Sequence, residues 1–143
     1  MLLKFLRWKE LRVKMIIGIG TDIIDIRRIK KTIEKYGFRF KNKCFSKSEI
    51  QRSESKTNSI ESYAKRYAAK EACSKALGTG LARGVFWKEI EIKNNKYGKP
   101  FITLHNNAKK ILSQFNLNNT KIEVSLSDEK NYAIANVIIF KNE

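Results

Sequence analysis

Along the chain, the spacing of apolar residues switches between a period of two and a period of three to four. Strand side chains alternate between faces, whereas helix side chains return to one face every three or four residues, so these switches mark element boundaries. Segments rich in β-branched and aromatic residues predict strands. They are residues 15–24, 86–93, 100–104, 120–126 and 132–140.

Helical spacing predicts a first helix over 25–36 that ends at Gly37, a long central helix over 60–77, and a short helix over 107–115. Ser46 and Glu49 form a Ser-x-x-Glu capping box that opens a further short helix. Between these elements we expect residues 38–45 to form a basic, aromatic connection and residues 52–59 to form a mobile polar loop.

The element order is β-α-α-α-β-β-α-β-β, with hairpin turns predicted at 94–98 and 127–131. Strands joined by hairpins favour an α+β fold over a doubly wound one. We therefore expect a mostly antiparallel sheet packed against the long central helix, in a single domain spanning 15–143.

Composition adds one unusual feature to an otherwise ordinary globular chain of 143 residues. Thirty Lys and Arg against fourteen Asp and Glu give a formal net charge of +16, which attracts acidic partners of any class. No stretch approaches the roughly 18 apolar residues of a membrane span, so we expect no membrane association. Cys44 and Cys73 lack the spacing of a zinc site, and we expect two reduced thiols in a cytoplasmic protein.

Residues 1–14 are basic and nearly free of acids, and two interpretations compete for them. They form a short amphipathic helix or targeting peptide, or translation naturally begins at Met15. We favour Met15, because a clean apolar strand follows it directly, and we treat 1–14 as an N-terminal extension.

The central helix carries the most informative candidate chemistry. Glu71 and Lys75 are four residues apart and so share one helix face. The helix then ends in the flexible turn Gly78-Thr79-Gly80, whose backbone can lie against a ligand. Taken alone, the pair is either an exposed salt bridge of small energy or a metal-held carboxylate beside a phosphate-seeking lysine.

Asp22 ends a strand that contains Gly18 and Gly20. The third glycine of a dinucleotide-binding loop is missing, so a Rossmann site is not expected. Asp25 is predicted to cap the next helix, and the lone His105 is assigned no catalytic role. That first helix exposes a basic face made of Arg27, Arg28, Lys30, Lys31 and Lys35.

Four stretches together resemble the holo-[acyl-carrier-protein] synthase family, the small bacterial 4'-phosphopantetheinyl transferases. They are Gly18-Ile-Gly-Thr-Asp22 with Arg28; Phe45-Ser-x-x-Glu49; Arg66-Tyr-Ala-Ala-Lys-Glu-Ala-Cys-Ser-Lys75 through Gly80; and Gly98-Lys99-Pro100 followed by Val124-Ser-Leu-Ser-Asp128 and Tyr132-Ala-x-Ala. The resemblance covers about residues 15–140.

The resemblance implies Mg²⁺-dependent transfer of the phosphopantetheine arm of coenzyme A to a serine of apo-acyl carrier protein, which releases adenosine 3',5'-bisphosphate. It implies that Asp22 and Glu71 hold the metal, with Lys75 stabilising the departing phosphate. These three are the implied catalytic residues. The implied coenzyme A contacts are Lys75, Gly78, Gly80, Gly98, Lys99 and Pro100, with Lys70 as a weaker candidate.

The resemblance also implies that Arg28 docks the acidic carrier protein and that the chain assembles as a homotrimer, with residues 137–139 at a subunit contact. Some family members carry histidine where this chain has Asp128, so that histidine's role does not transfer. The alternative from a different class is a small basic RNA-binding module, suggested by the net charge and by residues 83–87. The aromatic pattern of an RNA-recognition strand is missing, and we expect no nucleic-acid partner.

Overall fold

The computed structural model describes residues 13–82, 84–115 and 119–142. Its strands are β1 (Val13–Asp25), β2 (Ile90–Asn94), β3 (Pro100–Leu104), β4 (Thr120–Asp128) and β5 (Tyr132–Asn142). Its helices are α1 (Ile26–Tyr36), α2 (Phe38–Cys44), α3 (Lys47–Glu54), α4 (Ser59–Ala76) and α5 (Asn106–Ser113). The expectations for residues 1–12 lie outside the described residues, whereas Val13 and Lys14 belong to β1.

The fold is α+β, as predicted. Strands β1, β5 and β4 form an antiparallel sheet in that order, and β2 and β3 form a separate antiparallel hairpin. Helix α4 packs across β1 and β5, and the larger apolar core lies between α4, the sheet and β2. A second cluster joins α1 and α2 to α4. Every helix in the described ranges is too short or too polar to cross a bilayer.

The local signals for helix ends are confirmed. The Asp25 side chain caps α1 by accepting a hydrogen bond from the Arg27 backbone N–H at 2.9 Å. Gly37, with φ of 51°, ends the helix. Ser46 and Glu49 form both hydrogen bonds of the capping box that opens α3.

The predicted connection over 38–45 is wrong, because residues 38–44 form helix α2. Phe40 and Cys44 are four residues apart and both pack into the second cluster, which supplies the apolar face of a helix. The mobile loop predicted over 52–59 is also wrong, since α3 runs to Glu54 and α4 begins at Ser59. The buried hydroxyls of Ser53 and Ser62 bond each other at 2.9 Å and tie the two helices together.

The strand predicted over 86–93 begins only at Ile90. Residues 87–89 form a 3₁₀ turn, in which Glu89 accepts hydrogen bonds from the backbone N–H groups of Phe86 and Asn107. These bonds divert the chain before the strand. The exposed Lys88 that interrupts the alternation lies within this turn.

Candidate functional site

Strand β1 lies directly against the backbone of α4. A Cβ atom built on Gly20 would stand 1.7 Å from the Ala72 carbonyl oxygen, and one on Gly18 would stand 2.0 Å from the Ala76 carbonyl oxygen. Both distances are far inside van der Waals contact, so only glycine permits this approach. The Gly-x-Gly pattern therefore sets the distance between strand and helix.

That close contact brings the two predicted carboxylates together. Asp22 follows Gly18 and Gly20 on the β1 face that meets α4, and Glu71 lies on α4 beside Ala72. Both side chains line one cleft of about 250 Å³, with Arg28 and Thr32 of α1 on its other wall. Burial, and then the charge of Asp22, raise the pKa of Glu71 above its usual value.

Lys75 completes this group from the next turn of α4. Its ammonium donates to Asp22 Oδ1 at 3.0 Å and to the Thr21 carbonyl oxygen at 2.9 Å. The Asp22 side chain is mostly buried, at 17% exposure, whereas that of Lys75 is 49% exposed. The ammonium can therefore swing toward solvent while the carboxylate stays in place.

The chemistry of this donor set fits a hard divalent cation. Mg²⁺ takes oxygen ligands and keeps several waters, so it needs only one or two protein carboxylates. Within residues 13–82, 84–115 and 119–142, no group of three or more His, Cys, Asp or Glu side chains could hold a metal ion. A cation between Asp22 and Glu71 would complete its shell with water or substrate oxygens, and it would offset the repulsion between the two carboxylates.

Lys70, the weaker candidate for a phosphate contact, does not line the cleft that holds Asp22 and Glu71. Its side chain and that of Glu49 are both fully buried and form an ion pair at 2.8 Å. The ammonium also donates to the carbonyl oxygens of Trp87 and Ile90. All three of its donors are used inside the core, so the assignment of Lys70 to a phosphate contact is wrong.

A second, larger cleft of about 640 Å³ carries basic residues that the sequence analysis missed. Its cationic lining residues are Arg52, Lys56, Lys65 and Arg66. Arg66 is 5% exposed, and its guanidinium donates to the Ser62 hydroxyl and to the Asn94 side-chain oxygen, both at 2.9 Å. Its Nε is the only buried side-chain N or O in the described residues that lacks a hydrogen-bond partner.

Burial lowers the pKa of the Arg66 guanidinium. A buried cation with a donor to spare is stabilised by an anion. Lys65 pairs with Asp128 at 2.8 Å on the rim of the same cleft, which gives Asp128 a definite partner. The sequence did contain a signal for this cleft. Arg66 is the first residue of the longest of the four family motifs, but the sequence analysis gave it no role.

Only two of the predicted coenzyme A contacts line the larger cleft. Gly98 and Pro100 line the larger cleft beside Arg66, while Lys99 pairs on the surface with Glu123 at 3.0 Å. Gly78 and Gly80 follow α4 with φ of 80° and 58°, and they line neither cleft. The turn that they form is open, since a Cβ at either position would meet nothing within 4 Å.

The RNA-binding alternative was suggested in part by residues 83–87, and the structure uses some of them for packing. Arg83 lies outside the described residues, Val85 is buried, and Trp87 stacks on Tyr67 with ring centroids 4.3 Å apart. Phe86, between these two, is 71% exposed.

Comparison with known proteins decides the family. The family model described as the 4'-phosphopantetheinyl transferase superfamily matches residues 18–137. The chain belongs to this superfamily. It is therefore a transferase, and the recognition made from the four motifs is confirmed.

Individual relatives are similar over most of their length. The holo-[acyl-carrier-protein] synthase of Agrobacterium fabrum is 50% identical over 127 residues, which cover 87% of this chain and 95% of the relative. The crystal structure of the Neisseria meningitidis holo-[acyl-carrier-protein] synthase superposes with a TM-score of 0.79 at 33% identity, covering 87% of this chain and 98% of that one.

The structure of the Helicobacter pylori holo-[acyl-carrier-protein] synthase in complex with coenzyme A superposes with a TM-score of 0.72 at 35% identity. The match covers 85% of this chain and 98% of that one. The superfamily fold therefore extends over both clefts of this chain.

Proposed function

We propose that the chain transfers the 4'-phosphopantetheine group of coenzyme A to a serine of apo-acyl carrier protein and releases adenosine 3',5'-bisphosphate, in a Mg²⁺-dependent reaction in the cytoplasm. The observation that carries the proposal is the convergence of Asp22 and Glu71 in one cleft, with the Lys75 ammonium bonded to Asp22. The similarity to holo-[acyl-carrier-protein] synthases, one of them in complex with coenzyme A, supports the choice of donor and acceptor.

Asp22, Glu71 and Lys75 each have a task that their position supports. Asp22 and Glu71 would hold Mg²⁺, which when bound neutralises the diphosphate and polarises its phosphoryl oxygens. Lys75, half exposed one turn beyond Glu71, would leave Asp22 and stabilise the charge that develops on the departing phosphate. The open Gly78–Gly80 turn lies just beyond Lys75, where its backbone can follow the same phosphates.

The larger cleft suits the nucleotide half of coenzyme A. Four cations, one of them the buried Arg66, face a cavity that also includes Gly98 and Pro100. Guanidinium groups bind phosphate through paired hydrogen bonds, and the Arg66 guanidinium is one of the groups that line this cleft. We assign the 3'-phosphate to this cluster and the adenine to the Gly98–Pro100 edge.

The two clefts lie on different sides of α4. Arg66 and Glu71 are five residues apart, which places them about 140° apart around the helix. One chain would have difficulty presenting both clefts to a single coenzyme A molecule, so a second copy would complete the site. The outer sheet face supports such an assembly, because Ile19, Ile23 and Ile138 are 63%, 61% and 40% exposed on it.

We therefore propose a homotrimer that covers this apolar face. Of the run 137–139, Val137 and Ile139 are buried in the core and only Ile138 faces outward. Substituting Ile19→Glu, on the outer face and away from both clefts, should give monomers in analytical ultracentrifugation and abolish transfer. A wild-type chain that sediments as a monomer with full activity would contradict the shared site.

Helix α1 is the proposed docking surface for the acidic carrier. Arg28 lines the smaller cleft, which holds Asp22 and Glu71 and which we call the catalytic cleft. It is exposed on the same helix as Lys30, Lys31 and Lys35. Arg27 is engaged with Asp25 at 2.7 Å, so it is less available to a partner. Arg28 thus joins the basic surface to the carboxylates, and a carrier bound there would present its serine to the cleft.

The test is a direct transfer assay. Purified protein is mixed with coenzyme A, MgCl₂ and apo-acyl carrier protein, and the carrier is weighed by mass spectrometry. We expect the carrier to gain one phosphopantetheine group, and Glu71→Gln to lose roughly a hundredfold or more in rate. Glu129→Gln, an exposed acid in the β4–β5 turn, is the matched control and should keep full activity.

Two results would count against the proposal. A carrier that never gains the group, while a known transferase modifies it in parallel, removes the reaction. Near-normal activity of Glu71→Gln removes Glu71 from the metal site.

A further inference from the structure

Tyr67 is a polar residue of the catalytic cleft that the mechanism above does not use. It lines the cleft together with Asp22 and Glu71. Its ring stacks on Trp87, with centroids 4.3 Å apart and planes at 28°, and lies 6.1 Å from the ring of Phe40. Within the described part of the chain, the hydroxyl has no hydrogen-bond partner. The ring is therefore fixed by packing while its donor is free.

The position of Tyr67 along α4 indicates which substrate it faces. Tyr67, Glu71 and Lys75 follow one another at intervals of four residues, so they form one row along the helix. Lys75 occupies the end of the row next to Thr21. Tyr67 occupies the opposite end, where Phe40 of α2 contacts it and where Arg28 of α1 lines the same cleft.

The order of these three side chains along α4 places the two substrates on opposite sides of the carboxylates. Lys75, at one end, is on the side of the departing phosphate. The Tyr67 end adjoins the basic surface of α1, from which the carrier enters. The tyrosine hydroxyl is thus placed on the acceptor side of Glu71.

We propose that the Tyr67 hydroxyl donates a hydrogen bond to the carrier segment that presents the acceptor serine, and that it positions this serine for attack. The inference rests on the proposed function. It makes Tyr67 a positioning residue for the protein substrate, with no part in binding coenzyme A.

The properties of the Tyr67 side chain favour this role over one in packing alone. A tyrosine hydroxyl keeps its proton at neutral pH and can therefore donate a hydrogen bond. The stacked ring has little rotamer freedom left to lose when its hydroxyl meets a partner. A half-buried donor that lacks a partner gains most from an acceptor brought by the incoming protein.

Tyr67→Phe is the direct test, because it removes the oxygen and keeps the stacking on Trp87. Steady-state kinetics should show the KM for apo-carrier rising about threefold to tenfold, the scale of one hydrogen bond. The KM for coenzyme A and the melting temperature should stay unchanged.

Tyr63→Phe is a matched control one turn earlier on α4. Tyr63 is fully buried, and its hydroxyl donates to Glu54 at 2.7 Å. That variant should melt at a lower temperature and keep the wild-type KM for carrier. A purely structural role for Tyr67 would give the same pattern in Tyr67→Phe.

The outcomes separate this inference from the proposed function. If the wild-type protein transfers nothing, the proposed function fails. If the wild type is active and Tyr67→Phe has an unchanged KM for carrier, or changes the KM for coenzyme A instead, then only the role of Tyr67 is overturned.

Discussion

Replacing Lys70 with methionine tests whether this lysine serves the core or the substrate. Methionine keeps the length of the apolar stem and removes the ammonium. Glu49 would then remain fully buried with two backbone donors, the N–H groups of Ser46 at 2.9 Å and Ile92 at 3.3 Å, but with no cation. The carbonyl oxygens of Trp87 and Ile90 would also lose a donor.

The expected cost follows from these contacts. Breaking a buried ion pair by removing one partner costs about 3–5 kcal/mol. With an unfolding entropy of roughly 2.1 cal/mol/K per residue over 143 residues, a loss of about 4 kcal/mol lowers the melting temperature by roughly 13 °C. The change would consume a large part of the stability of a typical domain.

The assay is thermal unfolding of wild type, Lys70→Met, Glu49→Gln and the double variant at one protein concentration. The double variant should be more stable than the sum of the two single losses predicts, by about 2 kcal/mol, because the orphaned charge is gone. Calorimetric binding of coenzyme A to the folded Lys70→Met variant should match wild type. A stable Lys70→Met that binds coenzyme A weakly would refute the core role and restore the phosphate contact.

Three further predictions test the site and its surroundings. Gly20→Ala should prevent the close approach of β1 to α4 and lose both stability and transfer, measured by thermal melting and carrier mass. An active, stable variant would contradict the steric argument, in which the added Cβ stands 1.7 Å from the Ala72 carbonyl oxygen. Arg28→Ala should raise the KM for carrier about tenfold and flatten its dependence on salt, with the KM for coenzyme A as control.

The third of these concerns Glu91 and low pH. Burial raises its pKa, but hydrogen bonds from Ser46, Ser48, His105 and Lys93 outweigh burial and lower it to about 2. Because its pKa is lower in the folded state, ionised Glu91 stabilises the fold by about 3 kcal/mol above pH 4.5. This stabilisation is lost as the pH falls toward 2. In urea unfolding, wild type should exceed Glu91→Gln in stability at pH 7, and the gap should narrow by pH 3; an equal gap at both values would contradict this.

Sequence reasoning succeeded where the signal is local. The Asp25 cap, Gly37 and the Ser46–Glu49 box each depend on a few neighbouring residues, and the structure confirms all of them. The boundary errors over 38–45, 52–59 and 86–93 share another cause. In each, a tertiary contact decides the local conformation, such as Phe40 in the second cluster or Glu89 bonding Asn107.

The site shows the same division. Glu71 and Lys75 could be grouped because one helix face carries them, whereas Asp22 was joined to them only through the family resemblance. Arg66 and Lys70 could not be told apart, because they are basic residues four positions apart on the same helix. One reaches a cleft, and the other is neutralised by Glu49, which α3 brings in from 21 residues away. Only the assembled packing of α3 against α4 separates them.

Helix α4 therefore has three tasks. Alanines at 72 and 76 leave room for the glycines of β1 on one side of the helix. Arg66 and Lys70 lie one turn apart on another side, where Lys70 anchors α3 and the start of β2 and Arg66 faces the larger cleft. Because the carboxylate pair is held by the same strand–helix contact that builds the core, the geometry of the proposed metal site cannot change without disturbing the core. A rigid core contact is well suited to hold two like charges together until a cation and substrate offset their repulsion.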